Sequence, residues 1–547
     1  MTDSSRTSKS IRNSKVALIY TFFNSILSFF SRKIFLDHLG TEILGLNTTA
    51  VNILQFLNLA ELGIGTAVTF TIYKPLFEKD YESVNEIVSV QGWLYRRIAW
   101  WMIGGALVAM CLFPFIFNKM ELPLWYAYAS FGVLLVSSLL GYFVNYKQII
   151  LSADQCEYAI TYSYKGTLIV KTFCQMAAVY YFPNGYLWWL ILEFVFAFVA
   201  SWRLNQTIRK RAPFLHSSVS LGRKIKGKYP DIIIKIKQLF FHKISGFILT
   251  EVTPLIIYGY ANLSLVALYG NYLVIISGVK LAVSSVFDSI GASVGNLVAE
   301  GDSPKIMTVF NELFSSRFLF ITTACFCLYI LTPEFVTLWI GPQYVLSNST
   351  LLLMILTLYI RCRKTTVDVY LNAYGLFNDI WAPITEACLN IGLSILFGYF
   401  WGLNGILAGV LASLFIIHSC WKPYFLFSKG LHVTIITYIQ IYARHILAAA
   451  IATGLTLWIF SFIHFPRNGH FSGFLLRAAI TSSIYFLLLS IGLFCFTVGM
   501  RDFVARIRRI ISLYERAAQK NNYNFYRISS GTRRNRLPCL FSNRSLI

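Results

Sequence analysis

Fourteen apolar runs, most of them near 20 residues long, recur along this chain and constrain it more than any other feature. About 20 such residues cross a bilayer as one helix, and a backbone in hydrocarbon must satisfy its polar groups internally. The approximate limits are 14–35, 43–72, 98–118, 123–145, 160–182, 186–204, 238–259, 265–298, 315–332, 350–373, 380–400, 403–424, 445–464 and 474–498. The run 265–298 exceeds one straight crossing, so it tilts or continues beyond the bilayer. Of 547 residues, 56% are hydrophobic and 13% charged. A soluble domain carries nearly twice that charge. The expected class is therefore an all-α polytopic membrane protein. Its first run, Val16 to Ser31, reads as a retained span and not as a cleaved signal.

The net charge is +23. In a soluble protein that would suggest nucleic acid, but here the cations gather in loops and tails. With the N-terminus inside, the inner segments hold about 35 Lys and Arg and the outer ones about 4. This asymmetry implies two cytoplasmic termini, an even number of spans, and no nucleic-acid partner. The basic stretch 203–237, broken by Pro213 and Pro230, leaves six spans before it and eight after. The expected organisation is a cytoplasmic N-terminus (1–13), a six-helix lobe (14–204) and a basic cytoplasmic linker (205–237). A second six-helix lobe (238–424), two additional helices (425–500) and a basic cytoplasmic tail (501–547) follow. Laying span eight over span two matches Asn271 to Asn47 and hints at two related lobes about a central cavity. Gly222 to Lys228, GRKIKGK, lacks the Ser or Thr and the preceding strand of a phosphate-binding loop.

No catalytic motif stands out, so no enzyme is expected. The ten cysteines and eight histidines form no metal pattern. What remains is polarity inside spans. The run 43–72 carries Gly45, Asn47, Asn52, Asn58 and Glu61, which a helix facing only lipid would not tolerate. Span ten holds Arg361, Arg363, Lys364 and Asp368. From Thr350 to Arg361 is about 16 Å of helix, roughly mid-bilayer. Arg361, Lys364 and Asp368 share a face; Arg363 points elsewhere. A cationic face at that depth suits an anionic substrate, unless Lys364 and Asp368 simply neutralise each other. Lys171 and Lys280 are further buried cations, and Lys165 and Lys243 lie near span ends. Arg32 and Lys33 read as interface anchors. The buried acids Glu61, Glu193, Glu251, Asp288 and Glu386, with Asp368, are candidate proton- or sodium-coupling groups or ion-pair partners.

Residues 28–47, SFFSRKIFLDHLGTEILGLN, and 57–80, LNLAELGIGTAVTFTIYKPLFEKD, resemble the N-terminal signature of polysaccharide-export flippases of the O-antigen and capsule type. These belong to the multidrug/oligosaccharidyl-lipid/polysaccharide exporter superfamily. The resemblance implies two six-helix lobes facing a central cavity, plus two C-terminal helices, in a bacterial inner membrane. It implies passage of undecaprenyl-pyrophosphate-linked oligosaccharides between leaflets by alternating access. No cofactor beyond a coupling proton or sodium ion is expected. The expected partners are the polyprenyl-linked oligosaccharide, membrane lipid and polysaccharide-polymerase machinery. On this reading Arg361, Lys364 and Lys280, with Arg363 and Lys171, screen the anionic head group. The rivals are a multidrug/cation antiporter, which wants an anionic cavity, and a peptidoglycan-precursor flippase, which shares the same physics. A membrane glycosyltransferase or polymerase wants a large acidic outer loop, whereas Pro333 to Ser349 holds only Glu334.

Overall fold

Two glycines shape the start of the chain. The helix Arg6–Leu57 is two helices joined at Gly40, whose φ of 81° and ψ of 174° fall where only glycine is at ease. Gly63, at φ 95°, starts the next helix, Ile64–Glu78. The predicted run 43–72 is thus broken by a tight turn at Asn58–Glu61, which turns those two polar side chains toward neighbouring helices. The structure, a computed structural model, describes residues 6–61, 63–287, 291–376, 378–463, 471–509 and 512. Among these residues every regular element is helical, as the sequence led one to expect.

Eight of the described helices are long and apolar enough to cross a membrane: Tyr81–Ile116, Trp125–Phe143, Gly185–Arg211, Leu263–Ser284, Ser303–Trp339, Trp381–Gly430, Ile435–Phe462 and Phe471–Phe496. The expected runs 380–400 and 403–424 both lie within Trp381–Gly430, which breaks between them at Trp401 and Gly402. The other expected runs, such as 43–72 and 350–373, form helices diluted by the polar residues described above. Large apolar side chains such as Phe22, Trp101, Phe115 and Tyr399 lie exposed, as lipid-facing residues do.

By its internal contacts the chain divides into two compact units. The first comprises Met1–Gly278, Val336–Met354 and Asp379–Leu414; the second comprises Val279–Phe335, Ile355–Asn378 and Phe415–Ile547. Without water to drive helices together in lipid, close approach of small residues does much of the work. In the first unit, Trp381–Leu414 folds back at Trp401 and Gly402. The two arms meet at Gly405 and Gly409, where an added Cβ would lie 1.9 Å from the Phe397 carbonyl oxygen and 2.4 Å from the Ser394 amide nitrogen. Asn390 donates to Ser413 across the same seam. Gly409→Leu is expected to lower stability by about 3 kcal/mol, the upper end for overpacking. Gly392→Leu, with open space around its Cβ, is the silent control. Thermal unfolding in detergent distinguishes the two.

The basic linker is docked, not loose. Ser218 N donates to Ser89 Oγ, Asn85 bonds the backbone of Phe214 and His216, and Gly222 rests against the Ser89 carbonyl. Lys228 pairs with Glu86 at 2.6 Å. Asp80 caps the Tyr81–Ile116 helix, and the Ser83 hydroxyl and amide hold its carboxyl below the usual range.

In the second unit, Phe310, Phe314, Tyr370, Phe427 and Tyr438 form one buried aromatic core. It binds Ser303–Trp339, Asn348–Ala373 and Ile435–Phe462 to the wide π-helical turn at 426–430, which follows a similar turn at 415–421. Such turns recur where a helix is distorted for function.

Candidate functional site

The cations of Asn348–Ala373 separate into two roles. Arg363 is buried. It donates to the Tyr438 hydroxyl, to Ser419 Oγ at 2.6 Å and to the His418 carbonyl at 3.5 Å, and lies 4.8 Å from the Tyr442 ring centre. Its guanidinium therefore pins the π-helical turn to the Ile435–Phe462 helix. Lys364 is half-buried, 3.6 Å from the Asp368 carboxylate and 3.3 Å from His418 Nε2. The neutralising i, i+4 pair considered from the sequence is thus present.

Arg361, Lys280 and Arg317 form the other group. Lys280 is exposed and lies within electrostatic reach of Arg361 and Lys364. The Cys362 thiol feels Lys280, Arg361 and Arg317 together. Arg317 is buried, stacked 5.1 Å from the Phe287 ring centre with Nη2 donating to the Phe287 carbonyl. Lys280, Arg317 and Arg361, all within the second unit, thus bring positive charge to one neighbourhood. Sequence reasoning passed over Arg317 because it stands two residues inside a predicted span, where it reads as an interface anchor.

The first unit holds two polar cavities. One, of 300 Å³, is lined by Asn24, Ser28, Arg32, Asn47, Lys171 and Glu193 among others. Lys171 Nζ donates to both oxygens of buried Glu193 at 2.7 and 2.8 Å, and Gln175 Nε2 adds a third bond at 2.9 Å. This pair neutralises itself. Arg32, read from the sequence as an anchor, instead donates to Asn271 Oδ1 and to the Ala267 carbonyl. The second cavity, of 390 Å³, contains Glu61, which accepts from the Tyr95 hydroxyl at 2.9 Å and the Tyr142 hydroxyl at 2.6 Å. Asn58, Gln91, Glu157 and Lys165 share it. Glu386 is buried on the 381–414 helix and Glu251 sits half-buried in a π-helical turn. Asp288 and the side chain of Lys243 lie outside the described residues. The described residues contain no group of His, Cys, Asp and Glu suited to a metal ion.

The sequence matches no protein-family profile and no curated protein. Solved structures do match. A lipid II flippase MurJ in an inward closed conformation superposes with a TM-score of 0.63 at 14% identity, covering 87% of this chain and 98% of that one. An inward-facing multidrug-resistance MATE transporter of the MOP superfamily gives 0.55 at 12% identity, over 72% of this chain and 92% of that one. The chain shares its fold with these two transporters. Nearly the whole length of each neighbour is matched, at low sequence identity.

Proposed function

We propose that this chain is a membrane transporter that flips a lipid-linked, pyrophosphate-bearing oligosaccharide from the inner to the outer leaflet, for polysaccharide biosynthesis. The observation that carries this reading is the placing of Lys280, Arg317 and Arg361 within electrostatic reach of Cys362. A multivalent anion such as pyrophosphate is the ligand whose charge a group of cations inside a span suits. The polyprenyl tail stays in lipid while the head group crosses by alternating access. With the interior negative, moving a dianion outward releases about 4–5 kcal/mol per 100 mV. Glu61, in its polar cavity, is the proposed site for a coupling proton or sodium ion. The charge asymmetry supports two cytoplasmic termini; a bacterial inner membrane is the proposed location and polysaccharide-polymerase machinery the proposed neighbour.

A second reading, peptidoglycan-precursor flipping, draws support from the likeness to a lipid II flippase. A cation antiporter fits the positive cluster poorly. The test is reconstitution into liposomes with lipid-linked oligosaccharides or lipid II, scoring appearance in the opposite leaflet. Arg361→Gln and Lys280→Gln are each expected to slow flipping at least about tenfold, or 1.4 kcal/mol. Unchanged rates in both variants would sink the cationic path. Movement of lipid II alone would select the second reading, and drug efflux without glycolipid movement the antiporter.

A further inference from the structure

Thr497 interrupts the helical run after Phe471–Phe496, and a fresh stretch of helix covers 498–509. The break lines a cavity of 150 Å³ within the second unit. Asn311 and Ser315 face it from Ser303–Trp339, one turn apart; Gln440 and Arg444 face it from Ile435–Phe462; Gly499 closes it. A Cβ on Gly499 would lie 2.2 Å from the Asn311 carbonyl oxygen and 2.6 Å from Ser315 Oγ, so glycine alone lets the new helix begin here.

Some of this lining is already spent. His445 bonds Ser315 Oγ through Nε2 at 2.9 Å and the Ile441 carbonyl through Nδ1 at 2.7 Å. Two groups are not. Asn311 Oδ1 is buried without a partner. Arg444 is exposed and makes no hydrogen bond or ion pair with any described residue. The first amides of 498–509 also lack intrahelical acceptors and add the positive end of that helix. A ligand matching the cavity therefore carries negative charge for Arg444 and a hydrogen-bond donor for Asn311. Its surroundings indicate the source. Arg501, which donates to the Thr497 carbonyl, and Arg506, which pairs with Glu312, begin the basic tail. The charge asymmetry assigns that tail to the cytoplasm, at the level of anionic head groups.

We propose that this cavity binds the head group of a glycerophospholipid of the cytoplasmic leaflet. The phosphodiester lies against Arg444 and the 498–500 amides, and a hydroxyl or ammonium beyond it donates to Asn311 Oδ1. Phosphatidylglycerol and phosphatidylethanolamine both carry that chemistry; phosphatidylcholine has the phosphodiester but no donor. A lipid held there bridges Ser303–Trp339, Ile435–Phe462 and 498–509. The proposal does not depend on what the protein transports.

The test uses the full chain, purified in detergent and stripped of lipid, titrated with each of the three lipids bearing a fluorescent tail. Phosphatidylglycerol and phosphatidylethanolamine are expected to bind about tenfold more tightly than phosphatidylcholine, the worth of one charge-adjacent hydrogen bond. Arg444→Gln weakens phosphatidylglycerol binding by about tenfold or more, and Arg444→Lys by less, because it keeps the charge. Asn311→Ala brings all three lipids to the phosphatidylcholine level. Arg444 is exposed, so Arg444→Gln leaves the fold intact, which a monodisperse elution profile checks. Equal affinities for the three lipids in the unmodified chain, or an unchanged phosphatidylglycerol affinity in Arg444→Gln, overturns the proposal. Loss in Asn311→Ala of the discrimination between phosphatidylcholine and the other two lipids supports it, and the affinities of the unmodified chain show which of phosphatidylglycerol and phosphatidylethanolamine is preferred.

Discussion

Gly45→Ala is expected to prise the Arg6–Leu57 helix away from the Leu263–Phe287 helix. An added Cβ would sit 2.0 Å from the Leu263 carbonyl oxygen and 2.5 Å from its carbon. Overpacking by a methyl costs about 1–3 kcal/mol where side chains can give way. Here the obstacle is backbone, so the helices themselves must part. The same seam carries the Thr41–Ser264 hydroxyl contact at 3.0 Å and the Arg32–Asn271 bond. Both depend on the close approach, and both are expected to fail with it. A Thr41→Cys/Ser264→Cys pair reports this directly. In the otherwise unmodified chain it should form a disulfide readily; with Gly45→Ala added, the yield should fall about tenfold, the equivalent of 1.4 kcal/mol. Gly104→Ala, with nothing within 4 Å of its Cβ, should leave the yield unchanged. If the proposed flipping requires this seam to close, Gly45→Ala also slows transport. Undiminished cross-linking in Gly45→Ala would show that the seam does not depend on the close approach at Gly45.

The sequence made the helical class legible because bilayer thickness and backbone polarity leave few options. It also exposed most of the charged residues, because an ionisable group in an apolar run stands out. It did not show which of them meet. Glu61 was visible, but its tyrosine partners lie 34 and 81 positions away on other helices. Lys171 and Glu193 were both candidates, one as a head-group ligand and one as a coupling group. Their mutual bond joins two helices through residues 22 positions apart. Helical periodicity says which residues share a face and nothing about which helix that face meets. Arg363 shows the useful limit of the method: its angular position already set it apart from Arg361 and Lys364, and the structure gives it separate partners in Tyr438 and Ser419. Arg32 shows the opposite. At the end of a span it reads as an anchor, and its bonds to Asn271 and Ala267 with the packing of Gly270 against its guanidinium show that it is held inside.

Lys171→Met is expected to be the most destabilising single change in the first unit's 300 Å³ cavity. The lysine and Glu193 side chains are only 15% and 11% exposed. Removing the cation leaves a buried carboxylate with a single remaining donor, Gln175. Breaking a buried pair from one side costs about 3–5 kcal/mol, chiefly from the uncompensated charge. Glu193→Leu alone strands Lys171 and should cost a similar amount. The double variant Lys171→Met/Glu193→Leu removes both charges at once. It is expected to recover most of the lost stability, since apolar replacements of buried pairs are often neutral or better. Gln175 keeps its bond to the Trp189 carbonyl in all of them. Unfolding midpoints in detergent would check the order: double variant near the unmodified chain, both single variants well below. Three midpoints that fall additively would mean the two groups do not interact. Transport by the double variant then separates two roles. A stable but inactive protein assigns the pair to the head-group path through Arg32 and Asn47, whereas a stable and active one makes it a fastening between Gly166–Tyr181 and Gly185–Arg211.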